Sequence, residues 1–183
     1  DWITSADNPY FAKATANWVW AQLFGKGIVD PPDDMSRGNP PVHPELLDAL
    51  ASHFIEKKYD LRDLIRTIAT SRAYGLSAAT VAGNENDSRW FSHHTPRPLS
   101  AHQMADALAQ ATDVPNRFPG ASPTRRAIRV TDPGVASPIL DTFGRCPRTT
   151  ACASVQTPPL SLKQSLLLIG GDVVESKVGH LNG

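Results

Sequence analysis

DNPYFAKATANWVWAQLFGKGIVDPPDDM (residues 7–35) and PPVHPELLDALASHFIEKKYDLRDLIRTIATSRAY (residues 40–74) decide the fold class. In the first stretch Asn8 can cap a helix and Pro9 suits its first position, where no amide partner is needed. Phe11, Thr15, Trp18 and the Ala21/Gln22 level recur at three- and four-residue spacing, and Gly25 and Gly27 supply a stop. Phe11, Trp18 and Trp20 are expected to build the core. In the second stretch a helix opens at Pro44 and carries Leu46, Leu47, Leu50, Ala51, Phe54 and Ile55 as an apolar stripe. Lys57 and Lys58 follow in its last turn, where positive charge suits the helix dipole. Asp60 caps a third helix with Leu61, Leu64, Ile65 and Ile68 inward. The short link at Tyr59 makes these two helices antiparallel neighbours.

Beyond Tyr74 a loop rich in Ser, Ala, Gly and Asn runs from Gly75 to Asp87. Ser100 to Thr112 then reads as a helix with Met104, Ala107, Leu108 and Ala111 inward. The segment from Asp113 to Pro138 is irregular, with Ile128 to Val130 as a candidate short strand. A last helix opens at Ser161 and is expected to bury Leu162, Leu166, Leu167 and Ile169, before Gly170 and Gly171 bend or stop it. Sixteen prolines cluster between these segments, as residues that break helix interiors must. The expected architecture is all-α: a single domain over residues 1–183, a bundle of five or six helices joined by long proline-rich loops, with at most a short strand near 128–130. There is no internal repeat.

Composition narrows the function classes. The chain holds 183 residues, 40% hydrophobic and 20% charged, with 18 basic residues against 18 acidic. It should therefore fold, and it carries no electrostatic signature of nucleic acid or an anionic membrane as main partner. The longest apolar run, LSLKQSLLLIGG (residues 160–171), is interrupted by Lys163 and Gln164 and is too short to span a bilayer. Asp1 is followed by no charged-then-apolar leader, so the chain is expected to be a mature or excised piece of a larger multidomain protein.

Five stretches carry a family resemblance. They are residues 7–35, residues 39–74, PRPLSAHQMADALAQATDVPNRF (residues 96–118), FGRCPRTTACA (residues 143–153) and LSLKQSLLLIGG. In this order they resemble the planctomycete-specific domain of unknown function that closes large envelope proteins carrying cytochrome-c-like domains. The resemblance implies an exported bacterial protein of the periplasm or cell envelope, with no settled activity. The chain departs from the family pattern at polar positions. Trp18 stands where an arginine is usual in an Asn-Arg-x-Trp element, and Pro98 replaces the second arginine of a Pro-Arg-Arg run. His102 sits where a glutamate is common. A Cys-x-Cys-Glu-Arg element survives only as Cys152-Ala153-Ser154-Val155. A charged site built from those positions would be incomplete here.

Several residue groups invite chemistry. Cys146 and Cys152 are the only cysteines. Their spacing lacks the histidine of a c-type haem attachment site, and zinc would need two further ligands. An exported location would allow them to form a disulfide, with two free thiols as the alternative. Asp33 and Asp34 form a carboxylate pair in a loop, suited to a hard cation together with His43, or to capping a turn. His93 and His94 are a doublet beside Trp90 and Phe91. Arg97, Arg125, Arg126, Arg129, Arg145 and Arg148 make the second half locally basic. Such guanidinium forks bind carboxylate, sulfate or phosphate groups, or tie loops to backbone carbonyls. There is no P-loop, G-x-G-x-x-G or G-x-S-x-G element.

The function expected from the sequence is a structural or interaction module without a cofactor of its own. It would dock other domains of the same polypeptide or envelope proteins, a c-type cytochrome among them. One alternative is a glycan- or anion-binding module built on Arg97, Arg125, Arg126 and Arg129 with Trp90, taking an acidic polysaccharide. Another is a metal-assisted hydrolase around Asp33, Asp34 and His43.

Overall fold

A computed structural model describes residues 2, 3, 5, 8, 10–146 and 161–179. Among these the chain is helical and holds no strand. There are six helices of seven residues or more and one of five: α1 (Phe11–Phe24), α2 (Pro44–Glu56), α3 (Leu61–Ala69), α4 (Ala101–Thr112), α5 (Pro138–Thr142), α6 (Leu162–Gly170) and α7 (Asp172–Val178). They fall into two compact units, Asp1–Pro96 and Arg97–Gly183.

The first unit packs α1 against α2 and α3. Asn8 does cap α1, since its Oδ1 accepts from the N–H groups of Tyr10 and Phe11 at 2.9 and 3.1 Å. Gly25 ends the helix in the left-handed region at φ 85°, and its N–H donates to the carbonyl of Ala21. The buried face is rotated from the expected one. Ala12, Ala16, Asn17, Trp20, Ala21 and Phe24 point inward, whereas Trp18 is 39% exposed. The cause is Asn17, fully buried, which takes over the backbone of the following loop. Its Nδ2 donates to the carbonyls of Val29 and Pro32 at 2.9 and 3.2 Å, and its Oδ1 accepts from the Val29 N–H at 2.9 Å. A buried amide with three partners outweighs the burial of one more ring at position 18.

Helices α2 and α3 follow the sequence reading at their centres. Leu47, Leu50, Ala51 and Phe54 of α2 and Leu64 and Ile68 of α3 are buried, while Ile55, Leu61 and Ile65 stay exposed at the edges. Asp60 accepts from the N–H groups of Arg62 and Asp63. Lys58 and Tyr59 both adopt positive φ, 53° and 62°, which turns the chain within the short link between the two helices. His53 of α2 lies 2.7 Å from the Asp63 carboxylate of α3. Trp20 stacks on Phe24 with centroids 4.0 Å apart, and Phe91 closes edge-on against both rings.

The second unit packs α4 against α5, α7 and a 3-10 turn at Ala127–Arg129, around Ala101, Ala105, Phe118, Ala127, Ile139, Leu140 and Phe143. Ser100 and Gln103 form a reciprocal capping box at the start of α4. The inward face agrees with expectation in part: Met104 and Leu108 pack against this core, but Ala101 and Ala105 are the buried residues, while Ala107 and Ala111 are exposed.

Two further expectations are corrected here. Residues 128–130 form no strand. Asp106 of α4 instead accepts from the N–H groups of Ala127 at 2.6 Å and Ile128 at 3.2 Å, and these two bonds fold the segment into the 3-10 turn. Helix α6 does not bury its leucines. Leu162 is 76% exposed, Leu166 58% and Ile169 84%; only Leu167 of the expected four packs against the core. Gln164 is buried in their place, capping through Ser161 and donating from Nε2 to the Thr142 carbonyl at 3.2 Å. Gly171 then permits the bend into α7, because a Cβ there would lie 2.7 Å from the Leu167 oxygen.

The Asp106 carboxylate is nearly buried and also faces Arg126 Nε at 3.4 Å. Asp106→Ala would leave two amide donors of the turn without partners. We expect a loss of about 2 kcal/mol, measured by urea unfolding followed by far-UV circular dichroism. Asp106→Asn, which keeps one acceptor oxygen, should lose roughly half as much.

Candidate functional site

Three surfaces gather the residues singled out by the sequence. The first is the turn over residues 87–92 in the first unit. The Asp87 carboxylate accepts from the Ser92 hydroxyl and from the N–H groups of Trp90, Arg89 and Ser92. These bonds, the Ser92 hydroxyl foremost, hold its carboxyl well below the usual carboxylate range. The turn sends Phe91, at φ 58°, into the Trp20/Phe24 cluster and leaves Trp90 56% exposed. His43 Nε2 donates to the Trp90 carbonyl at 3.2 Å, and its ring meets the indole edge-on. Arg89 lies over the same indole, 5.6 Å from its centroid. His43 and Trp90 are thus neighbours, a pairing that residues 47 apart in sequence gave no means to foresee.

Asp33 and Asp34 do not join this group. Both are exposed, and Asp34 Oδ1 accepts from the Ser36 N–H at 3.1 Å while its carbonyl receives Asn39 Nδ2 at 3.0 Å. Among the described residues, no three His, Cys, Asp or Glu side chains are gathered to hold a metal ion. His94 meets Tyr74 edge-on, and its N–H donates to the Ser77 carbonyl. His93 is half-buried beside it.

The second surface is a cleft of about 360 Å³ lined by Asp106, Asp113, Thr124, Arg125 and Arg126, all in the second unit. Arg126 faces Asp106, and Arg125 reaches the Arg129 carbonyl at 3.5 Å. Arg129 itself is exposed at the end of the 3-10 turn. Two carboxylates therefore share the cleft with two guanidinium groups, which offsets much of the positive field that an acidic polymer would need. Trp90 belongs to the other unit, as Arg97 belongs to this one. Arg145 is internal: its guanidinium donates to the Val135 carbonyl and pairs with Asp141 at 2.8 Å. Arg148 and Cys152 lie outside the described residues; Cys146 is half-buried after α5.

The third surface is α6. Leu162, Leu166 and Ile169 share one outward face of the helix by their four- and three-residue spacing, with Leu168 partly exposed on the side of Gln164. Single exposed apolar side chains are ordinary; three on one face of a short helix form a patch of the kind that proteins use for association. No helix of the described residues is long and apolar enough to cross a membrane.

The family model described as PSD1, protein of unknown function (DUF1553), matches residues 1–182. The chain belongs to the PSD1 family. That match spans both compact units, so each is part of the PSD1 module. No curated protein and no solved structure matches the chain. In the Asn-x-x-Trp element of this PSD1 chain, Asn17 and Trp20 are the buried members and position 18 faces outward. An arginine there would meet solvent, so Trp18 alters the surface and leaves the core intact.

Proposed function

We propose that the chain is a structural and interaction module of an exported, planctomycete-type multidomain protein. In this reading residues 1–183 act as one domain that docks a c-type cytochrome domain of the cell envelope, and haem is carried by that partner. The observation that carries the reading is the apolar face of α6, held outward while Gln164 is buried beneath it. A helix anchored by Gln164 and Leu167, with Leu162, Leu166 and Ile169 facing away, is built to receive a partner on those three residues. The resemblance to the terminal domain of cytochrome-bearing envelope proteins supplies the partner's chemistry. Export is consistent with a Cys146–Cys152 disulfide, which belongs to the same proposal.

Affinity capture from native envelope extract tests it, read by haem absorbance together with mass spectrometry. The wild-type chain should retain a c-type haem protein, and Leu166→Ser/Ile169→Ser should lose at least about ninefold of it, since two buried apolar anchors contribute over 1 kcal/mol. Both substitutions are on exposed positions, so the helical signal should not change. Equal haem recovery with both chains, or none with either, would refute the docking reading.

A further inference from the structure

Lys177 is the most deeply buried charged side chain among the described residues, 6% exposed. It lies on α7 one turn after Val173, which packs against the second core. Its Nζ donates to the Val114 carbonyl. Among the described residues no carboxylate pairs with it. Burial pushes its pKa below the ordinary lysine value. An ammonium carries three donors and a full charge, and one carbonyl satisfies little of either. A purely structural tether at this position would be better served by an uncharged side chain.

The surroundings explain what the charge is for. Lys177 lines a cleft of about 510 Å³ together with Val114, Arg117, Phe118, Ile139 and Val173. That size falls within the range of small-molecule sites. The walls are mixed: Phe118 and Ile139, drawn from the core itself, and Val173 stand beside Asn116, Ser137 and Ser176, and Arg117 is exposed. A buried cation beside an apolar wall segment is complementary to an anionic group on a carbon skeleton. Inorganic anions would gain from the lysine but not from Phe118, Ile139 and Val173.

We propose that the cleft between α7, residues 114–118 and the start of α5 binds a small organic acid. Its carboxylate pairs with Lys177, Arg117 adds a second cation, and its carbon skeleton lies against Phe118, Ile139 and Val173. The site is separate from the α6 face and stands whether or not that face docks a partner. It could not be read from the sequence as a site, although Val173 and Lys177 share a helix face by their four-residue spacing.

The test is NMR titration of the full chain with phenylpropionate, with phenylpropanol and inorganic phosphate as comparison probes. Phenylpropionate should saturate and shift the Val173 and Ile139 methyl signals, while phenylpropanol at the same concentration should bind at least about tenfold more weakly, the loss of one charge-assisted contact. Lys177→Met should weaken phenylpropionate binding by at least about tenfold. It should be no less heat-stable than wild type, because it removes an unpaired buried charge. Lys177→Gln, which keeps a donor for the Val114 carbonyl, should bind as weakly as the Met variant. Unchanged affinity in both variants, equal binding of acid and alcohol, or saturation by phosphate alone would each overturn the proposal.

Discussion

Replacing Asn17 by Ala is expected to lower the stability of the first unit by about 3 kcal/mol, which for a domain of this size corresponds to roughly 15 °C in Tm. Asn17 is 0% exposed and satisfies the Val29 N–H, the Val29 carbonyl and the Pro32 carbonyl. Alanine would leave all three backbone groups buried without partners and open a cavity beside Ile28 and Val29, both fully buried. Asn17→Asp should be nearly as damaging, since an ionised carboxylate accepts from Val29 but donates to neither carbonyl. All four tryptophans of the chain lie in the first unit. Tryptophan fluorescence in urea therefore follows this loss directly. A midpoint shift worth less than about 1 kcal/mol would mean that the loop finds its backbone partners elsewhere.

Gly27→Ala should be comparably severe, at about 3 kcal/mol, and for a different reason. A Cβ on Gly27 would sit 2.0 Å from the Val29 oxygen and 3.0 Å from both terminal atoms of the Asn17 amide. The obstacle at Val29 is backbone, which cannot rotate away as a flexible side chain would. Relief requires the segment that Asn17 holds to move as a whole. The two substitutions thus act on one structure, and the double variant should cost less than the sum of the singles. Gly83→Ala is the control for backbone freedom without crowding: it has φ 98° but nothing within 4 Å of its Cβ. Its loss should stay near 1 kcal/mol.

How much of this was legible depends on whether backbone or side chain satisfied the polar groups. Where helices meet through apolar side chains alone, periodicity sufficed: Leu47, Leu50, Ala51 and Phe54, and Leu64 with Ile68, all face inward as their spacing requires. Asp60 capped where a carboxylate before an apolar run should. The failures each involve a polar side chain serving a distant backbone. Asn17 turned α1 so that Trp20 and Phe24 faced the core and Trp18 did not. Asp106 made a 3-10 turn of a segment whose Ile and Val suggested a strand. Gln164 took the buried position of α6 and left the leucines outside. Helix periodicity carries no information about which carbonyl, 12 or 22 residues away, an amide will meet.

The candidate sites divide the same way. Asp34 serves its own turn, as a loop aspartate bonding the backbone N–H two residues on commonly does. Arg125, Arg126 and Arg145 reach carbonyls and carboxylates of their own unit. Both were foreseeable from local chemistry. The His43–Trp90 contact, the outward face of α6 and the burial of Lys177 depend on tertiary packing, and the chain names none of them in advance.

The most direct measurement of the docking proposal is amide hydrogen exchange of the full chain with and without the haem protein that it captures. Exchange should slow over residues 162–170 on complex formation and stay unchanged over residues 61–69 of α3. Unaltered exchange across α6 in a saturated complex would contradict the account, because the partner would then bind elsewhere.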